Sequence, residues 1–288
     1  MRIQFQIKEK MIPIFEIEKN HDILIVGGIE IFIKSILNIP HISLVVNGIG
    51  TKIAIHLKKI GLYPVIFDFL GNDEFLELIN RYFEQNEINL FFSRQPYGTK
   101  RVLKILDKGE ELVYKDFRNI EKLDYNSSIN ILADIYKEVK SVYLILQNWD
   151  TNIVRNIKLM GKFLFLDFEE SLIVPEKKEI FGDFIFTNEN IKLTDNIHYL
   201  YKVTFKKDGK IKFEFSEESW EIIPFSQKKE FLFEAKCAFK SIVISSLFDG
   251  KSLKDVLLLG NIAYSYALEN KGKMISKIQL FEEYYKLK

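Results

Sequence analysis

The period of the hydrophobic pattern changes along the chain, and each change marks an element. Residues 2–8 alternate Arg2, Gln4, Gln6 and Lys8 against Ile3, Phe5 and Ile7. A period of two belongs to a half-buried strand, and Ile12 to Ile17 is its expected hairpin partner. The run Ile23-Leu24-Ile25-Val26 ends at Gly27-Gly28, the pattern of a buried strand closed by a tight turn. Short strands are expected over 31–46, around Pro40. From Gly48 the period lengthens: Ile53, Leu57 and Ile60 recur at helical spacing, and Gly61 stops the run. Tyr63 to Phe69 reads as a second buried strand. Asp73 to Asn86 reads as an amphipathic helix with Phe75, Leu78, Ile79 and Phe83 on one side. Residues 99–118 read as a strand pair turning at Asp107-Lys108-Gly109.

The second half alternates between the two periods. Helices are expected at 126–139, 151–160, 230–248 and 252–270, and strands at 141–146, 163–168, 183–186, 199–205 and 211–215. Strands alternating with helices imply a largely parallel sheet covered on both faces. No repeat, low-complexity tract or linker interrupts the pattern. The expected division is a β-hairpin extension over 1–21 and one α/β domain over 22–288.

Composition narrows the field of functions. The chain has 288 residues, 47% hydrophobic and 28% charged, enough for a sizeable core without disulfides or metals. Lys and Arg number 41 against 40 Asp and Glu, so the net charge of +1 argues for no nucleic-acid or membrane partner. The N-terminus lacks the apolar run and cleavage site of a signal peptide, and no window approaches the ~18 uncharged apolar residues of a spanning helix. Cys237 is the single cysteine and suits a reducing cytoplasm.

Several short segments occur in a telling order. Asn47-Gly48-Ile49-Gly50-Thr51-Lys52 opens a helix that ends at Lys59-Ile60-Gly61, and Gly71-Asn72-Asp73-Glu74-Phe75 follows the next strand. Gly98-Thr99 precedes the 107–109 turn, Thr187-Asn188-Glu189 ends a strand, and Val203-Thr204 lies in another. Gly250-Lys251-Ser252-Leu253, Gly260-Asn261-Ile262-Ala263 and Gly272 mark the last helices. This series resembles the ribokinase (phosphofructokinase-B) family of carbohydrate kinases over roughly residues 22–272. The resemblance implies a three-layer α/β/α sandwich with a mostly parallel central sheet and a small β-strand lid, here near 31–46 and 90–118. It also implies a homodimer through the lid, with Ile42, Leu44, Val102, Leu103 and Ile105 as apolar contacts.

The same resemblance shows what the functional positions contain. The family's GAGD motif supplies an anion hole at a helix N-terminus and an Asp as catalytic base. Counting back from Gly250, the motif falls on Glu234-Ala235-Lys236-Cys237, so the base position is Cys237 and the glycines are gone. The substrate Asp corresponds to Phe32, with Glu30 two residues earlier, and the substrate Asn of GGxGxN corresponds to Lys52. Lys has no acceptor and cannot repeat a bifunctional hydroxyl contact. Gly48 and Gly50 remain, serving either the cleft or helix–strand packing. At the metal and nucleotide positions Asn188 remains, Ile191 replaces the Glu, and Lys206 replaces a Gly. Asp167, Glu169 and Glu170 form an acidic cluster, read as a solvated loop or a cation site. Trp149 and Trp220 read as packing residues.

The expectation is a sugar-kinase-like protein without its catalytic motif, which binds a small-molecule ligand or acts as a scaffold, with no metal and no cofactor. ATP and Mg²⁺ enter only under the alternative, an active sugar or nucleoside kinase using displaced residues such as Glu30, Glu189 or Glu234. A pure protein-interaction module is the third reading.

Overall fold

The computed structural model describes residues 6–7, 10–11, 21–36, 41–107, 110–116, 128–145, 151–169 and 179–287. Strands β1 (Gln6–Ile7) and β2 (Lys10–Met11) form a minimal antiparallel pair. The expected hairpin partner, 12–17, lies outside the described residues, as do Pro40 and the 108–109 turn.

The centre of the molecule is a nine-stranded sheet. In spatial order it runs β15 (Glu218–Ile222), β14 (Ile211–Phe215), β13 (Ile197–Phe205), β12 (Ile180–Asn188), β11 (Phe163–Asp167), β10 (Val139–Ile145), β3 (His21–Val26), β6 (Pro64–Gly71) and β7 (Asn89–Gln95). The seven strands from β13 to β7 are parallel, and β14 and β15 add an antiparallel edge. Strand β3 is buried along its whole length, which is why it reads as a continuous apolar run. Its side chains divide by parity. Ile23 and Ile25 join the core on one face, and Leu24 and Val26 join the core on the other.

Helices cover both faces. On the first lie α1 (Ile49–Lys59), α2 (Phe75–Gln85), α5 (Leu232–Phe248), α6 (Leu253–Glu269) and α7 (Lys277–Leu287), through residues such as Leu57, Phe83, Phe239, Ala263 and Leu280. On the second lie α3 (Ile129–Glu138) and α4 (Thr151–Leu159), through Leu132, Ile135, Ile153 and Ile157. Helix α5 is buried nearly all round because it packs between the sheet, α1 and α6. The result is the expected three-layer sandwich.

A second sheet of four strands forms the lid, in the order β5 (His41–Asn47), β4 (Glu30–Ile36), β8 (Arg101–Asp107) and β9 (Glu110–Asp116). The lid therefore begins at residue 101 in its second half and not at 90. Strand β7 pairs with β6 from Val65↔Asn89 to Gly71↔Gln95 and buries Leu90, Phe91 and Phe92 in the central domain. The edge strand β15 and the helix α7 were not anticipated. Trp220 does pack, stacking on Phe213 at 5.7 Å while staying partly exposed.

Two carboxylates fix the lid to the domain. Asp68, in the second half of β6, accepts the Ile29 amide at 2.8 Å and pairs with Lys100 Nζ at 2.8 Å. Asp73 accepts the Thr99 amide at 2.6 Å and its hydroxyl at 2.9 Å. Ile29 leads into β4 and Thr99-Lys100 into β8, so both chain crossings into the lid are tied down.

Candidate functional site

In an open α/β sheet, ligands bind outside the carboxyl ends of the strands, where the winding direction reverses. Here the chain leaves β3 for β6 and β7, then returns to the other side of β3 at β10, which sets the reversal between β3 and β10. The carboxyl ends of β3 and β11, the start of α1, the first turns of α5 and the lid root define the candidate cleft.

Gly48 and Gly50 bring the start of α1 onto the turn after β3. A Cβ on Gly50 would lie 2.0 Å from the Gly27 carbonyl oxygen, and one on Gly48 would lie 2.3 Å from that of Gly28. Gly48 also has φ +103, which an L side chain rarely adopts. Of the two readings open in the sequence, backbone packing is the one this geometry displays. Lys52 is half-buried on α1, and one turn on is His56, 5% exposed. Burial first, then the Lys52 charge, pushes the imidazole of His56 down to about 3. Glu30 is buried at the start of β4, opposite Asn47. Phe32 lies half-buried in the lid with Lys104 Nζ 5.6 Å from its ring centroid.

The start of α5 is not an open anion hole. Its N-cap, Phe231, is left-handed at φ 60, a strained state for a bulky residue, and provides no side-chain cap. Glu234 lies in the first turn, where a Cβ on Gly272 would fall 2.8 Å from its Cγ. Ala235 is fully buried and Cys237 is 1% exposed. Burial pushes the Cys237 thiol far up, opposed by Lys240 and reinforced by Glu169 and Asp167.

Behind Cys237 is a charge network that the sequence reading missed. Lys240 is wholly buried, 2.6 Å from Asp167 Oδ2 and 2.6 Å from Glu169 Oε2. Lys236, one helical turn earlier, is 2.5 Å from Glu169 Oε1. The Tyr143 hydroxyl donates to Asp167 from below. Two ammonium groups thus face two carboxylates. Burial alone would raise the Glu169 carboxyl, but Lys240 and Lys236 outweigh it and hold it below the usual range. Burial alone would lower the Lys240 ammonium, but the two carboxylates hold it above the usual range. Phe186 and Phe205 flank Lys240 at 5.7 and 5.6 Å. The acidic cluster is therefore neither a solvated loop nor an open cation site. Asp167 is fully buried and Glu169 nearly so, each engaged by lysine, and Glu170 lies outside the described residues. One signal was present: Lys240 is the lone charge inside the apolar stretch 237–247, and such a charge needs a buried partner.

The remaining candidates are apart from this network or brace it. Asn188, at the end of β12, donates to the Glu169 carbonyl at 3.2 Å and accepts the Asn190 amide at 2.9 Å. Lys206 turns to the edge strand, where its Nζ is 2.5 Å from Glu221. Glu189 is 3.9 Å from Lys207. Among the described residues no group of three or more His, Cys, Asp and Glu is arranged to hold a metal ion.

This architecture has clear counterparts among solved structures. A microbiome-derived acarbose kinase superposes with a TM-score of 0.76 at 16% identity, covering 92% of this chain and 99% of that one. A possible 1-phosphofructokinase of Thermotoga maritima gives 0.73 at 15% identity, covering 92% and 98%. The ribokinase of the same organism gives 0.68 at 17% identity, covering 92% and 99%. No protein-family model matches the chain, and no curated protein matches it. The protein has a ribokinase-like fold, as its motif series implied.

Proposed function

We propose that this protein is a catalytically silent relative of the sugar kinases that binds a small metabolite in the cleft beneath its lid. One observation carries the reading: the end of the cleft where phosphoryl transfer needs a base and open backbone donors instead holds a closed Lys–carboxylate network. A base must give and take a proton near neutral pH. The buried Cys237 thiol, raised far above its ordinary value, is unsuited to that. The residues also do not suit a Mg²⁺–nucleotide. Asp167 and Glu169 are neutralised by lysines, and Ile191 packs against the core. The test is a thermal-shift titration with ATP, ADP and neutral sugars, with and without Mg²⁺. Catalytic silence goes with no Mg²⁺-dependent nucleotide stabilisation. A stabilisation by ATP that requires Mg²⁺ favours an active kinase using displaced residues.

The lid supports a second part of the reading, a homodimer. Leu44, Ile33, Leu103 and Tyr114 align in one row across its four strands, and Ile105 and Leu112 follow on the same face. Leu44, Leu112 and Tyr114 are exposed at 49%, 63% and 67%, a patch of the kind that pairs with another protein surface. Val102 is 1% exposed and lies on the opposite face, so it drops out of the expected contact set. Light scattering at micromolar concentration is expected to give a dimer for the native chain and a monomer for Leu44→Lys. No described helix is long and apolar enough to cross a membrane, and the unpaired Cys237 suits a reducing, cytoplasmic setting.

A further inference from the structure

Helices α3 and α4 cover the second face of the sheet, whereas the helices of the cleft, α1 and α5, cover the first. A cavity of about 260 Å³ lies between α3 and α4. From α3 it is lined by Leu132, Ala133 and Tyr136, which fall within little more than one turn. From α4 it is lined by Ile153, Asn156 and, at and just past the helix end, Leu159 and Met160, so that each helix turns one stripe to the gap. Leu132 and Ile153 are buried in the core of this face, while Leu159 and Met160 are exposed at 75% and 40%. Ala133 is the smallest side chain in the wall, and nothing longer fills the space at that point.

The wall is apolar apart from two groups that lack a protein partner. The Tyr136 hydroxyl is buried without a hydrogen-bond partner, in a residue 3% exposed. A buried polar group left unpaired is costly and calls for an explanation. Burial pushes the Tyr136 phenol up, so it stays protonated and able to donate. Asn156 is half-buried, and its carboxamide makes no hydrogen bond among the described residues. Among the described residues no charged side chain lines the cavity, so a charged ligand would lose its hydration without gaining a counter-charge. A mostly apolar wall with a few polar groups is the usual make-up of a small-molecule site. A cavity of ~150 Å³ holds benzene, which by proportion gives this one room for roughly ten non-hydrogen atoms.

We propose that the α3–α4 cavity is a second ligand site, which takes an uncharged, largely apolar molecule of that size with one hydroxyl or carbonyl oxygen placed on Tyr136. The apolar body lies against Leu132, Ile153 and the adaptable Met160, and Asn156 serves the same oxygen or the solvent side. No residue assigned to the cleft lines this cavity, so the site stands or falls apart from catalytic silence.

The test is equilibrium dialysis of the full chain against 2-naphthol, naphthalene and 2-naphthoate, which share one ring system and carry a hydroxyl, no substituent and a carboxylate. The native chain is expected to bind one 2-naphthol saturably, naphthalene more weakly and 2-naphthoate not at all. Tyr136→Phe should weaken 2-naphthol by roughly 3- to 10-fold and leave naphthalene unchanged. Ala133→Leu should fill the gap and abolish binding of both. Neither variant should melt below the native chain, since the first removes an unpaired hydroxyl and the second fills space. If Ala133→Leu does not fold, the contrast between 2-naphthol and naphthalene in Tyr136→Phe still decides. Absence of saturable 2-naphthol binding, binding that survives Ala133→Leu, equal losses of 2-naphthol and naphthalene in Tyr136→Phe, or 2-naphthoate bound as tightly as 2-naphthol overturns the proposal. So does the loss of a dimer in Ala133→Leu by light scattering, which would show that a second copy of the chain fills the gap.

Discussion

Replacing Lys240 by Met should unmask a buried negative charge. In the native chain Lys240 lies between Asp167 and Glu169 with no solvent access. The variant keeps a similar volume, so packing loss is small, but two carboxylates then share the single Lys236. Removing one partner of a buried ion pair costs about 3–5 kcal/mol. At about 2–4 °C per kcal/mol for a domain of this size, Tm should fall by roughly 6–20 °C at pH 8. The unpaired negative charge also favours protonation of a buried carboxyl in the variant, so a proton should be taken up above the usual carboxylate range. The sign follows from linkage. A carboxyl raised in the folded state binds protons there before the unfolded chain does, so acidification stabilises the fold. The gap between native and Lys240→Met should therefore narrow from pH 8 to pH 6 in urea unfolding. Adding Asp167→Asn to the variant should recover part of the loss. A loss under ~1 kcal/mol, or a gap unchanged over that pH range, would refute a tightly buried charge network.

Three further outcomes follow from the same geometry. The folded-state imidazole of His56 is depressed from 6.5 to about 3, so its stabilisation is present above pH 6.5 and is lost as pH falls towards 3; His56→Leu should flatten that part of the stability–pH curve. Gly50→Ala, which places a Cβ 2.0 Å from a backbone oxygen, should cost about 3 kcal/mol or more or prevent folding, whereas Gly61→Ala has nothing within 4 Å and should cost only its backbone strain. Asp68→Asn removes the buried carboxylate charge that Lys100 Nζ meets at 2.8 Å and should speed amide hydrogen exchange in β4 and β8 before β3, as read by mass spectrometry.

The fold was legible where the physics is local. Strands β3 and β6 are buried on both faces, so their apolar runs, each closed by a glycine, are unambiguous. Helix α2 buries a single stripe, so Phe75, Ile79 and Phe83 recur at the helical period. Strand β7 was misassigned to the lid because its apolar run, Leu90-Phe91-Phe92, gives way to polar Ser93-Arg94-Gln95 as it nears the lid. Strand β15 escaped because it is a mostly exposed edge strand with only two apolar side chains, Trp220 and Ile222. The site was less legible, since its partners are far apart in sequence. Asp167 and Lys240 are 73 residues apart, and only the packing of α5 over β11 brings them together. A register count could place Cys237 at the base position, but it could not show that lysines fill the space beside it.

Coupled ADP release with a broad panel of sugars and nucleosides tests catalytic silence most directly. The comparison needs the native chain, Cys237→Asp and a full Gly-Ala-Gly-Asp restoration at 234–237. The expected result is no sugar-dependent release above background for the native chain or for Cys237→Asp, because restoring a base does not reopen the anion hole, where loss of one donor already costs about 10²–10³ in rate. Robust turnover by the native chain, abolished by Glu234→Ala, would contradict it and reveal a rebuilt active site.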